Sequence, residues 1–282
     1  MIERPIALGL AISAVMALLA RKYRALTIGG LIAALAIAAA LLASSWENFT
    51  LMVLFFSSSS MLTYVGYGEK RRRGAAEREG GRSFSQVACS GGIPAFLSML
   101  LAAPNVSGEL HSAVVLAVAA TIAFANSDTW AVEIGALSKR SPRLITNPRV
   151  RVPHGVSGGV TLRGELGAAM GAALIAGSSA LLLAASKALG GAWSTLNVNP
   201  LRLAGAVFAL GWLGEVLDSL VGATLQVKYM CPKCGVLCDR EVHVCGTRAV
   251  RAGGFKWVRN ELVNLIVEIV VAALALSISR YL

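Results

Sequence analysis

The chain alternates long apolar runs with short polar segments along nearly all of its length. A helix needs about 20 mostly apolar residues to cross the hydrocarbon core of a bilayer. The run at 84–103 contains Gly91, Gly92 and Pro94, so it is the candidate for a broken or re-entrant helix. The predicted fold class is all-α, a polytopic transmembrane bundle of about eight helices at residues 5–21, 25–44, 47–67, 84–103, 109–135, 163–186, 200–226 and 260–280.

The basic residues lie on alternate polar segments. Those after helices one, three, five and seven hold 22 of the 26 Lys and Arg residues, and the other four are Arg4, Lys187, Arg202 and Arg280. Because cytoplasmic loops collect Lys and Arg, we expect these segments, and an active face among them, in the cytoplasm and both termini outside. The first apolar run precedes its basic cluster, which favours a retained helix over a signal peptide.

Composition narrows the class of protein further. Hydrophobic residues make up 56% of the chain and charged residues 15%, far from the globular average, so we expect one integral membrane domain over residues 1–282 embedded in lipid. The net charge of +11 would suggest a nucleic-acid partner in a soluble protein. Here the cations lie between apolar runs, so topology and anionic ligands explain them, and no nucleic-acid partner is predicted.

Acidic and amide side chains recur at one depth, near the inward ends of three predicted helices. A charged group in a spanning helix is costly unless it is paired, hydrated or bound to a cation, so its default interpretation is functional. For Glu133 and Glu261 taken singly, capping a helix end near headgroup water is an equally good interpretation. We expect a divalent cation to be bound by members of the set Asp128, Glu133, Glu215, Asp218, Asn260, Glu261 and Asn264.

The segment after helix five combines cations with small residues, as anion sites do. Arg and Lys neutralise a phosphate, and glycine lets backbone N–H groups approach it. Topology alone would also place cations here, so the glycine pattern is the stronger signal. The chain has no G-x-x-x-x-G-K-[ST] motif, which disfavours a P-loop NTPase. The candidate anion-binding residues are Lys139, Arg143, Arg149, Arg151, Ser157, Gly158 and Gly159.

The segment 227–259 joins the last two predicted helices. Four of the five cysteines lie inside it, in a stretch of fifteen residues. The C-x2-C spacing on the reducing side of the membrane favours a structural zinc knuckle, since Zn²⁺ takes four Cys or His ligands. The candidate ligands are Cys231, Cys234 and Cys245, with either His243 or Cys238 as the fourth. A redox pair or free thiols are the alternative interpretation.

Four motifs occur together, in order, over most of the chain: residues 125–135, 142–146, 155–159 and 214–226. Together they resemble the TMEM19-like (DUF92) integral membrane family, which includes the plant phytyl-phosphate kinase. The resemblance implies transfer of a phosphoryl group from a nucleoside triphosphate to a membrane-dissolved isoprenoid monophosphate, with Mg²⁺ as cofactor. Asp128, Ala131 and Gly135 are also similar in spacing to a motif of CTP-dependent polyprenol and phytol kinases, which favours CTP over ATP. Val132 and Val156 depart from the family pattern, so the donor stays open.

The expected roles follow from that activity. Phosphoryl transfer asks mainly for positioning and for neutralisation of negative charge. Asp128 and Asp218, helped by Glu133 and Glu215, would hold Mg²⁺ and phosphate. The four cations Lys139, Arg143, Arg149 and Arg151 would clamp phosphate, Ser157, Gly158 and Gly159 would donate backbone N–H groups, and Asn126, Asn260 and Asn264 would orient water, metal or phosphate.

Four other functions compete with this one. A CTP-dependent lipid cytidylyltransferase or a prenol kinase would use a similar donor, metal and acceptor depth. A transporter would use intramembrane acids as an ion relay, but it should place them near the midplane in opposed repeats. A purely structural membrane partner fits the clustered motifs least. The sequence leaves the acceptor tail length and the oligomeric state open.

Overall fold

The computed structural model describes residues 3–76, 81–102, 106 and 108–281, with side chains from residue 9 onward. A long helix lies at each of the eight predicted positions, and a ninth, short helix follows the third. The helices of the described residues are α1 Glu3–Lys22, α2 Ile28–Ser44, α3 Trp46–Tyr64, α4 Tyr67–Arg72, α5 Phe84–Leu101, α6 Gly108–Gly135, α7 Leu162–Leu189, α8 Pro200–Thr224 and α9 Asn260–Ile278.

Five of these helices are long and apolar enough to cross a membrane: α5, α6, α7, α8, and α9 with the 3₁₀ turn that extends it to Tyr281. Helix α2 is apolar but has only 17 residues. The protein is therefore a polytopic helical membrane protein.

Helix ends follow the local sequence. The Ser45 hydroxyl accepts a hydrogen bond from the Asn48 N–H at the start of α3, and Ser83 and Gln86 form a capping box at the start of α5. Gly66, at φ 65°, ends the third predicted helix early and begins α4.

Helix α5 corrects one expectation, since it runs unbroken through Gly91, Gly92 and Pro94. The break or re-entrant loop that these residues suggested is absent. Proline removes a single backbone donor, and the packing of α5 against α2, α6 and α9 is enough to keep the helix continuous.

Helix α6 is the centre of the bundle. Every residue from 113 to 127 is buried, and α6 packs against α3, α5, α7, α8 and α9. Its contact with α7 is close because Gly167 and Gly171 face it: a Cβ at either glycine would lie 2.9 Å from a carbonyl oxygen of α6. Small residues allow such close approach of backbones in membrane bundles. This contact fixes the rotation of α6.

Two three-stranded antiparallel sheets lie at one end of the bundle, and the all-α prediction missed both. Their strands are two to five residues long, too short for an alternating pattern to show. The first sheet, in order β2-β1-β3, and the second, in order β5-β4-β6, contain β1 Arg143–Leu144, β2 Asn147–Arg151, β3 Gly159–Val160, β4 Lys228–Cys231, β5 Val236–Cys238 and β6 Val250–Gly253. We call this end of the bundle the sheet end.

Candidate active-site cavity

A cavity of about 220 Å³ lies between α1, α2, α3 and α5 and reaches α6 and α9. Its walls from α1, α2 and α3 are almost wholly apolar, whereas the part nearest the sheet end is polar. The polar part is lined by Arg82, Gln86, Ser90, Asp128, Thr129, Glu133, Asn260, Glu261 and Asn264. A cavity with one polar end and one apolar end has the shape and polarity of an amphiphile with a charged head.

Asp128 is an acid that this cavity leaves available, and Glu133 and Glu261 line the cavity as well. Among the described residues, none donates a hydrogen bond to its carboxylate, and Arg82 lies close enough to attract its charge. The neighbouring Ser127 faces α7, because its hydroxyl donates to the Ala168 carbonyl at 2.9 Å, whereas Asp128 lies on another side of α6 and lines the cavity. Asp128 can therefore bind a cation or a phosphate-bound metal.

The backbone of Arg82 is held in place by α2. The Arg82 N–H donates to the Ala25 carbonyl at 3.0 Å, and the Thr27 N–H donates to the Arg82 carbonyl at 3.1 Å. Gly81 makes this contact possible: its φ is 84°, and a Cβ there would lie 2.3 Å from the Ala25 backbone. The guanidinium is thereby placed at the polar end of the cavity, where it can neutralise a phosphate.

Asn126 and Glu133, both predicted site residues, are bound within the protein. Asn126 is fully buried, accepts the Ser58 and Ser59 hydroxyls at 3.1 Å each, and donates to the Gly171 carbonyl at 2.8 Å. These hydrogen bonds use the side-chain amide of Asn126, and the residue does not line the cavity. Asn126 therefore links α3, α6 and α7.

Glu133 lines the cavity but already has a cation. Its carboxylate lies 2.5 Å from the Lys70 ammonium and accepts the Thr63 hydroxyl at 2.8 Å. Lys70 also donates to the Leu62 carbonyl at 2.6 Å, and both charged side chains are almost entirely buried. The pair joins α4 to α3 and α6. Glu133 is thus neutralised before any ligand binds.

On α8 and α9, amide and acidic groups meet. With its amide nitrogen facing the acceptors, Asn264 donates to Asp218 Oδ1 at 3.1 Å and to the Asn260 carbonyl at 3.0 Å. Asp218 lies close enough to Asp128 and Glu215 for their charges to interact. Glu215 is buried, and its Oε2 has no hydrogen-bond partner among the described residues. Neither Glu215 nor Asp218 lines the cavity, although the charges of both lie close enough to that of Asp128 to interact.

An excess of carboxylates suits a magnesium ion better than a phosphate alone. Mg²⁺ is bound in phosphoryl-transfer sites by one or two carboxylates together with substrate phosphates and water. Asp128 and Asp218 fit that donor set, and Asn264 holds Asp218 in place.

The predicted phosphate clamp lies elsewhere. Lys139, Arg143, Arg149 and Arg151 are exposed on and beside the first sheet, and none of them lines the cavity. They form a basic surface at the sheet end, which we call the basic hairpin.

The predicted glycine loop docks on α8. Gly158, at φ 76°, packs so closely that a Cβ would lie 2.4 Å from the Ala223 side chain. The Ser157 N–H donates to Asp239 Oδ2 at 2.8 Å, its hydroxyl also bonds to Asp239, and the Gly159 N–H donates to the Val156 carbonyl at 3.0 Å. Two of the three predicted backbone donors are therefore used inside the protein.

Asp239 links the two sheets, and sequence reasoning missed it. Besides Ser157, it accepts Gln226 Nε2 at 3.0 Å and lies 3.5 Å from the Lys228 ammonium. Lys228 in turn donates to the Ser157 carbonyl at 2.8 Å. Burial lowers the pKa of Lys228, although Asp239 opposes that shift. No local motif marks Asp239, which lies 82 residues from Ser157 in the chain.

The cysteine-rich segment brings four ligand atoms together. Those of Cys231, Cys234, His243 and Cys245 all lie within 4.8 Å of one another, so this cluster can hold a metal ion. Cys238 lies outside it and donates to the Arg240 carbonyl at 3.4 Å. Hydrogen bonds from Thr247 and then His243 lower the pKa of Cys245 to about 5, which favours the thiolate that binds metals. Three sulfurs and one nitrogen are a tetrahedral Zn²⁺ donor set.

The family model described as Integral membrane protein DUF92 matches residues 11–272, which include the cavity, both sheets and the cysteine cluster. The chain belongs to the DUF92 family of integral membrane proteins. It is 33% identical to Protein PGR of Arabidopsis thaliana over 78% of each chain. It is 30% identical to an uncharacterised membrane protein of Methanocaldococcus jannaschii, over 83% of this chain and 86% of the relative.

A third DUF92 relative, an uncharacterised membrane protein of Synechocystis, is 27% identical over 84% of this chain and 75% of its own length. No solved structure matches the chain. Family membership confirms the resemblance drawn from the four sequence motifs.

Two cavity residues of this DUF92 protein, Arg82 and Gln86, were absent from the predicted site. In the sequence, Arg82 counts among the loop cations that set the topology, and both residues lie in segments that resemble the DUF92 family, but neither was given a role in the site. The sequence offers one signal that could have found both: they lie three and seven residues after Glu79, just where the basic segment ends and an apolar helix begins. A cation at the start of a spanning helix is placed to meet a phosphate at the membrane surface.

Proposed function

We propose that this protein transfers a phosphoryl group from a nucleoside triphosphate, CTP in preference to ATP, to an isoprenoid monophosphate. The observation that carries the proposal is the cavity with one polar and one apolar end, where Asp128 stands without a hydrogen-bond partner among the described residues. The head of the acceptor would lie between Arg82 and Asp128, and its tail among α1, α2 and α3. Membership of the DUF92 family agrees with this assignment.

The reaction needs no protein nucleophile, because the acceptor monophosphate is already an oxyanion. One of its oxygens attacks the γ-phosphorus of the nucleotide, the bond from that phosphorus to the β–γ bridging oxygen breaks, and the nucleoside diphosphate leaves with the electron pair. Catalysis then rests on positioning and charge neutralisation. Mg²⁺ at Asp128 and Asp218 would supply most of that neutralisation. Arg82 would hold the acceptor phosphate, and Asn260 and Asn264 would orient the groups around it.

The basic hairpin would serve the nucleotide. Its exposed cations Lys139, Arg143, Arg149 and Arg151 raise the local concentration of a triphosphate on the aqueous side of the cavity. The backbone N–H groups in the loop of residues 157–159 would bind the nucleotide only if a phosphate displaced the Asp239 carboxylate from Ser157. Glu133 keeps Lys70 and α4 in position, and Glu215 adds negative charge beside Asp218.

The same proposal includes an orientation of the protein in the membrane. The eight long helices would all span the bilayer, both termini would lie outside, and the sheet end would face the cytoplasm, where CTP and ATP are available. Support comes from the 22 Lys and Arg residues on the segments at that end. Zn²⁺ bound by Cys231, Cys234, His243 and Cys245 would stabilise the second sheet there.

Purified protein in lipid nanodiscs tests the reaction, with Mg²⁺, labelled CTP or ATP, and farnesyl monophosphate as acceptor. Asp128→Asn is expected to lower turnover about 100-fold or more, since it removes a charge that positions the metal and phosphates. Glu109→Gln, an exposed acid at the other end of α6, is the matched control and should keep full turnover. Full activity of Asp128→Asn would refute the assigned site.

The products separate the competing functions. Release of a nucleoside diphosphate supports the kinase, whereas release of inorganic pyrophosphate would identify a cytidylyltransferase. Turnover of farnesol in place of farnesyl monophosphate would identify a prenol kinase. Failure of every donor and acceptor pair would favour transport.

A further inference from the structure

The apolar part of the cavity runs along α2, away from the polar end. Arg82 marks the polar end and is hydrogen-bonded to Thr27, just before the first residue of α2. Ala34 and Ala38 line the cavity further along the same helix. At a rise of 1.5 Å per residue, they lie about 10 Å and about 16 Å along α2 from Thr27.

We infer that this stretch of α2 measures the acceptor's tail, and that Ala34 and Ala38 set how long an apolar tail fits behind the phosphate. The inference rests on the proposed function and deepens it, because it assigns the residues that select the length of the acceptor's tail. Both positions carry only a methyl group, whereas Leu31, Leu35 and Ile37, which line the cavity from the same helix, carry larger side chains. The two alanines therefore leave the space that a tail would occupy.

Helix α5 packs closely beside α2 at this depth. A Cβ on Gly91 of α5 would lie 2.9 Å from Ile37 Cδ1 and 3.6 Å from Met52 Cε, and all three residues line the cavity. The side chains of Ile37 and Met52 thus occupy the space beside the glycine. A tail can gain apolar contact only along the length of the cavity, so affinity should rise with each methylene until the tail meets the far wall.

Phenylalanine scanning along α2 tests the inference. Ala34→Phe and Ala38→Phe place a ring inside the cavity, whereas Ala36→Phe, at an intermediate depth on the exposed side of α2, is the matched control. Geranyl, farnesyl and geranylgeranyl monophosphates provide three tail lengths. Binding is measured as thermal stabilisation in nanodiscs, and turnover is measured in parallel with Mg²⁺ and the better nucleotide.

The expected result is an ordered loss. Ala38→Phe should weaken the binding of geranylgeranyl monophosphate about tenfold or more relative to that of the geranyl compound, because a filled apolar pocket discriminates between tail lengths. Ala34→Phe lies nearer to Arg82 and should weaken the binding of the farnesyl compound as well. Ala36→Phe should match the parent protein. Ala38→Leu, a smaller block, should change the preference in the same direction if the phenylalanine variant does not fold.

The inference and the proposed function fail separately. If the parent protein turns over no acceptor but the ordered loss of binding is seen, the tail site stands and the kinase proposal falls. If the parent protein is an active kinase but the lining variants lose all three acceptors equally, or the Ala36→Phe control behaves like them, the tail-length inference is overturned.

Discussion

Individual side chains at the sheet end show two ways of placing charge in this protein. Lys70 and Glu133 are buried together and fully paired, and their hydrogen bonds join three helices. Asp128 lines the same cavity without a hydrogen-bond partner among the described residues. Because an acid that only stabilises the fold is better satisfied by a cation of the protein itself, the contrast marks Asp128 as a group that can take a ligand in the cavity.

Glu133→Gln should destabilise the protein strongly. It leaves the Lys70 ammonium buried without its counter-charge, and removal of one member of a buried ion pair costs about 3–5 kcal/mol. The free energy of unfolding in detergent measures the loss. The double variant Lys70→Met with Glu133→Leu should recover a large part of it. A Glu133→Gln protein as stable as the parent would show that the pair is not formed in the membrane.

Gly158→Ala should undock the glycine loop. An alanine at φ 76° is strained by about 1–2 kcal/mol, and its Cβ would also collide with Ala223 on α8. We expect lower stability and faster amide exchange at Ser157, measured by hydrogen exchange. Gly177→Ala in α7 is the control, since no atom lies within 4 Å of the added Cβ and the change should be neutral or stabilising. Equal effects of the two changes would contradict the docking.

At the scale of elements, the helices are joined at both ends by polar contacts that hydropathy does not reveal. Away from the sheet end, Glu47 at the start of α3 is fully buried and accepts three hydrogen bonds: from the Ser45 hydroxyl at 2.7 Å, the Ser186 hydroxyl at 2.5 Å and the Trp193 N–H at 3.1 Å. This carboxylate fastens the connection between α7 and α8 to α3.

Glu47→Ala should therefore loosen that connection. It leaves the Trp193 N–H and the Ser186 hydroxyl buried without an acceptor, at about 1–3 kcal/mol for each group. The melting temperature should fall, and the Trp193 amide should exchange faster. Glu47→Gln keeps one acceptor oxygen and should cost less. If alanine and glutamine had the same small effect, the carboxylate would not be the fastening group.

We expect the second sheet to depend on the cysteine cluster in the same way. Cys234→Ser should reduce bound zinc from about one ion per chain to nearly none, because Zn²⁺ takes four ligands and one is lost. Cys238→Ser should keep the metal, since Cys238 lies outside the cluster. Elemental analysis of the purified proteins gives the zinc content. Loss of zinc from the Cys238 variant instead would assign the fourth ligand to Cys238.

At the scale of the whole molecule, we expect the positions of the cations to decide the orientation. If all eight long helices cross the membrane, both termini lie on one side of it and the basic sheet end lies on the other. Protease added to intact cells should remove tags at both termini, whereas the cysteines of residues 231–245 should react with an impermeant thiol reagent only after permeabilisation. Termini on opposite sides would show that one of the shorter helices, α1, α2 or α3, does not cross.

Hydropathy and spacing predicted much of this protein because those signals are local. A spanning helix must satisfy its own backbone hydrogen bonds in lipid, so an apolar run of sufficient length specifies a helix wherever it occurs. Local signals of this kind predicted the eight long helices, the cysteine-rich segment and the family motifs. The short strands escaped because their pairing, such as Arg143 with Val160, is not encoded by any run of residues.

The tertiary structure decided which polar side chains line the cavity and which are bonded within the protein. Glu133 meets Lys70 from 63 residues away, Asn126 meets Ser58 from 68 and Ser157 meets Asp239 from 82, and each contact takes a predicted ligand group into the protein's own hydrogen bonding. The same packing brings Arg82 beside Asp128 and leaves the basic hairpin outside. The sequence determines which segments enter the membrane, because burial in lipid depends on each segment alone. Which polar groups remain free for a substrate depends on the rotation of the helices against one another, and that is set by contacts between residues far apart in the chain.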